Sequence, residues 1–256
     1  MTRRILVVTA VAAEADSVTG GLTTPEPGAD TIPLPGGFAL RRHSGTSLVD
    51  VLVAGVGPAA AAAATSTALA HAHAHAAPLT RPYDLVVSAG IAGGFLPHAP
   101  IGTVVVSDAV VAADLGAQTP DGYLAVEELG FGRSAHPVAP ELTGAVAKAL
   151  ADGGLPHAVG TVLTVSTVTG TAERAAELAG RHPRAVAEAM EGFGVAEAAA
   201  AYGLPVVEIR AVSNAVGPRD RAAWRIGQAL DALRHAFQLI GRTVFVEPEE
   251  SSSCPS

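Results

Sequence analysis

Apolar residues in this chain come in short, nearly unbroken runs rather than in strict alternation. ILVVT (5–9), VDVLVA (49–54), LVVSA (85–89), TVVVSDAVV (103–111), VGTVLTVS (159–166) and PVVEIRAV (205–212) are rich in valine, isoleucine and threonine. Runs of this length and composition predict strands, and their lack of polar alternation predicts a sheet covered on both faces. The segments between them are dense in alanine and predict helices over 58–75, 140–152, 171–180, 185–202 and 221–244. Strands alternating with helices point to one α/β domain, here residues 1–246. The Pro/Gly-rich stretch 19–38 reads as a surface loop ahead of a returning strand near 38–43, and the polar end EPEESSSCPS (247–256) as a disordered tail.

Composition narrows the classes of function. Hydrophobic residues make up 49% of the 256 residues but aromatics only 4%, so the core must be built from alanine, valine and leucine. The net charge is −8 and no basic block exceeds an arginine pair, which argues against a nucleic-acid surface. The longest apolar stretch, 51–70, is interrupted by Gly55, Gly57 and Pro58 and is too weakly hydrophobic to span a membrane. An N-terminal run that resembles a signal peptide is broken by Glu14 and Asp16. The single cysteine, Cys254, permits neither a disulfide framework nor a cysteine metal site, and a cytoplasmic location is expected.

Five features carry candidate chemistry. Gly55-Val56-Gly57-Pro58 matches a loose dinucleotide fingerprint, but Asp84 falls at the wrong end of the next strand to hold a ribose, so a tight turn facing a small ligand is the better reading. His71, His73 and His75 have helical metal-ligand spacing without a third ligand type nearby, and read as a solvated helix end. SAGIAGGF (88–95) reads as a buried strand ending in a glycine loop that admits a ligand to the backbone. Glu14 and Glu191 are acids set among apolar or small residues, whereas Glu188 and Glu197 read as ordinary solvated helix-face residues. Ser213-Asn214 places a polar pair at the carboxyl end of a strand, where open α/β sheets bind substrates.

In this order and spacing, across about residues 4–240, an acid after the first strand, the G-I-A-G-G stretch (90–94), the Met190-Glu191 pair and the strand ending in Ser213-Asn214 resemble the purine nucleoside phosphorylase/nucleosidase family. The resemblance implies a three-layer sandwich with a central mixed sheet flanked by helices, no cofactor and no metal, a nucleoside and water as the small-molecule partners, and a homo-oligomer of two or more subunits. It assigns water activation to Glu14, the ribose face to Met190, the ribose hydroxyls to Glu191, and the substrate's base side to Ile91, Ala92, Gly93, Ser213 and Asn214.

The stretches 113–132 and 213–224 are most similar to nucleosidases that attack with water, in particular one acting on a 6-oxopurine nucleoside with a benzoate on its 5′ side. Arg219 and Arg221 are the candidates to grip that carboxylate. The family's adenine-specific nucleosidases have an aspartate where this chain has Asn214. An amide cannot protonate N7 but can donate and accept hydrogen bonds, so hypoxanthine is the expected leaving group. The related phosphorylases surround the glycine stretch with an arginine and a hydroxyl, but this chain has Ile91 there. The alternatives are a phosphorylase of 6-oxopurine nucleosides, with phosphate reached by Arg41 or Arg42 of a neighbouring subunit, and a methylthioadenosine/S-adenosylhomocysteine-type nucleosidase.

Overall fold

A computed structural model describes residues 2–22, 30–76 and 81–246. The chain runs β1 (Arg4–Thr9), α1 (Ala12–Leu22), β2 (Asp30–Pro33), β3 (Ala39–Ser44), β4 (Leu48–Val53), α2 (Pro58–Ala74), β5 (Leu85–Gly94) and β6 (Val104–Ala112). It continues through the hairpin β7 (Gly116–Thr119) and β8 (Gly122–Ala125), then β9 (Ala135–Pro137), α3 (Pro140–Asp152), β10 (His157–Thr164), α4 (Ala172–Arg181) and β11 (Ala185–Ala189). The last elements are α5 (Gly192–Ala201), β12 (Val206–Ala215) and α6 (Ile226–Gly241).

The strands build one mixed sheet, in the order β11-β10-β6-β12-β5-β1-β4-β3-β2, with β9 added beside β6 and helices packed over it. β1 lies parallel to β4 and β5, and β5 parallel to β12, so their carboxyl ends open on one edge. β11 pairs parallel with β10 and also antiparallel with the end of β5, at Gly93 and Gly94. This second pairing curls the sheet so that the ends of β5, β11 and β12 meet. The core beneath is aliphatic, as the composition requires: Ile5, Leu6, Val7, Val86, Val87, Val207 and Ile209 are fully buried.

Four expectations are corrected. Residues 185–202 are not one helix: β11 and α5 meet at Met190-Glu191, because alanine's helix preference yields to pairing with β10 and β5. The glycines of 88–95 belong to β5 itself rather than to a loop. The stretch 19–38 is not a single loop, since α1 runs to Leu22 and β2 begins at Asp30, while residues 23–29 lie outside the described residues. The helix predicted over 221–244 is a one-turn 3-10 segment, Arg221–Ala223, followed by α6. The tail 247–256, with Cys254, also lies outside the described residues.

Candidate active site

Four elements deliver charged side chains to the open edge of the sheet. Glu14 sits in the first turn of α1, buried, with Oε2 accepting from the backbone N–H groups of Ala10 (3.0 Å) and Val11 (3.2 Å). Its Oε1 accepts from the N–H of Ile91 at 2.9 Å, so the carboxylate ties the β1–α1 turn to β5. Glu191 stands at the β11–α5 junction and takes the N–H of Gly57 at 3.2 Å. That turn, Gly55-Val56-Gly57, holds both glycines at positive φ (92° and 96°), a conformation that aims a backbone amide at a carboxylate instead of at a dinucleotide.

Arg210, in the middle of β12 and 1% exposed, links these acids. It pairs with Glu191 (3.0 Å), donates from Nε to Glu208 (2.8 Å) and from Nη2 to the hydroxyl of Ser88 (3.2 Å). A Cβ added at Gly90 would come within 2.5 Å of both Glu14 Oε1 and Arg210 Nη1, so the glycine is what lets those two groups converge. Burial works against the Arg210 cation, but the charges of Glu208, Glu191 and Glu14 hold its pKa above the usual value. Burial pushes the Glu208 carboxyl up, with Arg210 opposing. Sequence reading missed Arg210, Glu208 and Ser88. The signal was Glu208-Ile209-Arg210, opposite charges two apart in a strand and therefore on one face of a buried sheet.

A small cleft opens at the strand ends beyond Ile91, lined by Gly93, Thr169, Glu188, Asn214, Arg219 and Trp224 among others. The β5–β12 ladder slips between Val212 and Asn214, leaving Ser213 as the extra residue, the kind of bulge that re-aims side chains beside a site. The Ser213 hydroxyl lies within reach of Ala92 O (3.2 Å) and Asn214 Oδ1 (2.9 Å), and Asn214 Nδ2 donates to Ala215 O (3.0 Å). Ile91, Ala92 and Gly93 run along β5 from the carboxylates to this cleft, and Met190, half-buried, adjoins Glu191.

Not every candidate converges. Arg219 is on the cleft wall with its guanidinium 5.3 Å from the Trp224 ring centre, while Arg221 lies 5.8 Å from the same ring and does not line the cleft. Asp220, between them, accepts from Ala222 N at 3.0 Å. Arg42 is locked in a two-pronged pair with buried Asp50 (2.8 Å for each prong), and Arg41 pairs with Asp16. Among the described residues no group of three or more His, Cys, Asp or Glu side chains could hold a metal, and no helix is long and apolar enough to cross a membrane. Glu188 departs from its reading as a solvated helix-face acid: it lies on β11, buried, on the cleft wall. Burial lifts its carboxyl above the ordinary range, opposed by hydrogen bonds from Thr169. Glu197 is closer to that reading, lying on α5, partly exposed and paired with Arg133 and His136.

A buried arginine ringed by carboxylates, beside a cleft ending in an amide, defines an α/β enzyme built to handle a small polar molecule at the strand ends. The chain belongs to the phosphorylase superfamily, whose family model matches residues 4–245. It is 59% identical over 233 residues to a futalosine hydrolase of Streptomyces coelicolor, covering 91% of this chain and 92% of that protein. It is 49% identical to a futalosine hydrolase of Acidothermus cellulolyticus over 94% of this chain and 91% of the relative. In three dimensions it resembles a 5′-methylthioadenosine/S-adenosylhomocysteine nucleosidase of Helicobacter pylori, with a TM-score of 0.76 at 17% identity, over 95% of this chain and 98% of that one.

Proposed function

We propose that this protein hydrolyses the N-glycosidic bond of futalosine, releasing hypoxanthine and dehypoxanthine futalosine, in menaquinone biosynthesis. The observation that carries the substrate is the 59% identity to a futalosine hydrolase across 91% of the chain. The chemistry follows from the cluster. As the bond to the base lengthens, positive charge develops on the ribose, and the Glu191 carboxylate favours it electrostatically. Arg210 and Gly57 occupy part of the hydrogen-bonding capacity of Glu191 and leave room for two ribose hydroxyls. Glu14, held by three backbone N–H groups, draws a proton from water as the oxygen bonds to C1′. The Asn214 amide donates to the departing purine without giving up a proton. The bond from C1′ to the base breaks as the bond to water oxygen forms, and the base leaves with the electron pair.

Two observations favour water over phosphate as nucleophile. Ile91 offers a dianion no side-chain donor, and Arg42 is already committed to Asp50. The same reading includes a homo-oligomer in which a neighbouring copy completes the 5′ end of the pocket, with Arg219 the nearer of the two candidate arginines to the cleft. The test is a panel of futalosine, inosine, adenosine and methylthioadenosine, with and without phosphate, following free base chromatographically. Hypoxanthine should be released from futalosine without phosphate. Release that requires phosphate, or faster release of adenine, would sink the proposal.

A further inference from the structure

AVAEAMEG (185–192) contains two glutamates three residues apart, and the fold sends them to different places. Glu191 meets Arg210, whereas Glu188 lines the cleft together with Asn214. Glu188 is only 6% exposed, yet no ion pair to it is formed among the described residues. Its two oxygens are held by one residue: the N–H of Thr169 donates to Oε1 at 2.7 Å and the Thr169 hydroxyl donates to Oε2.

The strand register gives this carboxylate a definite place. Glu188 is level with Gly93 across the β11–β5 pairing, and Asn214 is level with the same Gly93 across β5–β12. The three residues therefore form a row across the sheet, in which the middle one has no side chain. Two strand spacings set the outer Cα atoms about 10 Å apart. A Cβ at Gly93 would come within 3.0 Å of Val216 Cγ2 and 3.3 Å of Asn214 Nδ2, so the glycine keeps the floor of the cleft clear. The result is a slot with a carboxylate on one wall and an amide on the other.

Those walls differ in what they can distinguish. N7 accepts hydrogen bonds in both hypoxanthine and adenine, so a donor at Asn214 separates the bases only by how they depart. An ionised carboxylate is acceptor-only, with about four lone-pair sites of which Thr169 fills two. Hypoxanthine presents N1–H to such an acceptor, whereas adenine presents a bare N1 lone pair. Resting on the nucleosidase reading above, we propose that Glu188 is the specificity-determining residue for the base, accepting the N1–H of a 6-oxopurine while Asn214 meets its opposite edge. Thr169 orients the carboxylate, and an adenine in the slot leaves two acceptors face to face.

The test compares kcat/KM for futalosine and for its 6-amino counterpart, which carries adenine in place of hypoxanthine, in the wild type and in Glu188→Ala. Loss of one charge-assisted hydrogen bond should lower the futalosine value by roughly 10- to 100-fold. The 6-amino value should stay level or rise, so that the preference shrinks at least tenfold. Glu188→Gln, which is nearly isosteric and able to present either an oxygen or an NH₂, should give intermediate discrimination, and it carries the test if the alanine variant does not fold. An equal loss on both substrates, or an unchanged ratio, overturns the role of Glu188 while leaving the hydrolase reading intact. A wild type that cleaves neither nucleoside removes both.

Discussion

At the scale of single residues, Arg210 makes the site possible. Glu14, Glu191 and Glu208 are each at most 6% exposed, and carboxylates that deep are costly unless a cation and hydrogen bonds compensate. Arg210 supplies the cation, and the backbone N–H groups of Ala10, Val11, Ile91 and Gly57 supply further donors. In Glu14→Gln the amide oxygen can still accept from Ala10 and Val11, but its NH₂ then faces the Ile91 N–H, so the variant loses the base together with one hydrogen bond to β5. We expect kcat on futalosine to fall by roughly 10²- to 10⁴-fold in that variant. The comparison is Glu197→Ala. Glu197 is a partly exposed partner of Arg133 and His136, and its loss should leave kcat within about twofold, as rim ion pairs contribute little. Steady-state kinetics on the two purified variants checks both, and equal losses would mean that Glu14 acts only through structure.

At the scale of elements, the strands were the most legible part of the chain, because buried β-branched runs have few alternatives. All six strands predicted from apolar runs form, as does the returning strand near 38–43, which is β3, and α3 spans the predicted 140–152. Three of the misreadings, over 19–38, 88–95 and 185–202, share one cause: small residues have two meanings. Gly20 and Gly21 suggested a loop, yet they lie in α1, where a Cβ at Gly21 would come within 2.3 Å of the Arg234 carbonyl of α6. Alanines at 185–189 suggested a helix, yet they pair as β11. In the site, Glu14, Glu191, Ser213 and Asn214 could be picked out because each interrupts a pattern. Glu188 could not, since its importance depends on the pairing of β11 with β5, and Arg210 left only the Glu208-Ile209-Arg210 pattern, whose meaning depends on the strand face being buried.

The same logic ranks two glycine substitutions. A Cβ at Gly194 would sit 2.0 Å from the Pro58 carbonyl at the start of α2, a backbone atom that cannot swing aside. Gly180, in α4, has open space at that position. Gly194→Ala should therefore destabilise by about 1–3 kcal/mol through overpacking. Gly180→Ala should stabilise by up to about 1 kcal/mol through helix propensity. Urea midpoints at constant m-value measure both, and a stabilising Gly194→Ala would refute the close approach of α5 to α2.

At the scale of the whole molecule, stability against pH combines groups of opposite sign. His43 on β3 and His182 after α4 are half-buried, with Nε2 atoms that have no hydrogen-bond partner among the described residues. Burial is the main cause that puts each pKa below the ordinary 6.5, with Arg41 adding to it for His43, and Arg181 and Arg174 for His182. The folded chain therefore binds these protons less well than the unfolded one. Above the unfolded value the two histidines cost nothing, and as pH falls through 6.5 and on through the lower folded value, stability is lost. Glu188 and Glu208, raised by burial, act in the other direction, because the folded form holds their protons more tightly and gains stability as pH falls towards the ordinary carboxyl value. A raw stability curve mixes the two effects, so the informative quantity is a difference. The double variant His43→Gln, His182→Gln should show a smaller fall in Tm between about pH 7.5 and 5.5 than the wild type, by a few degrees. Differential scanning calorimetry at matched ionic strength reads that difference directly. Parallel curves would show that neither imidazole is held neutral by the fold.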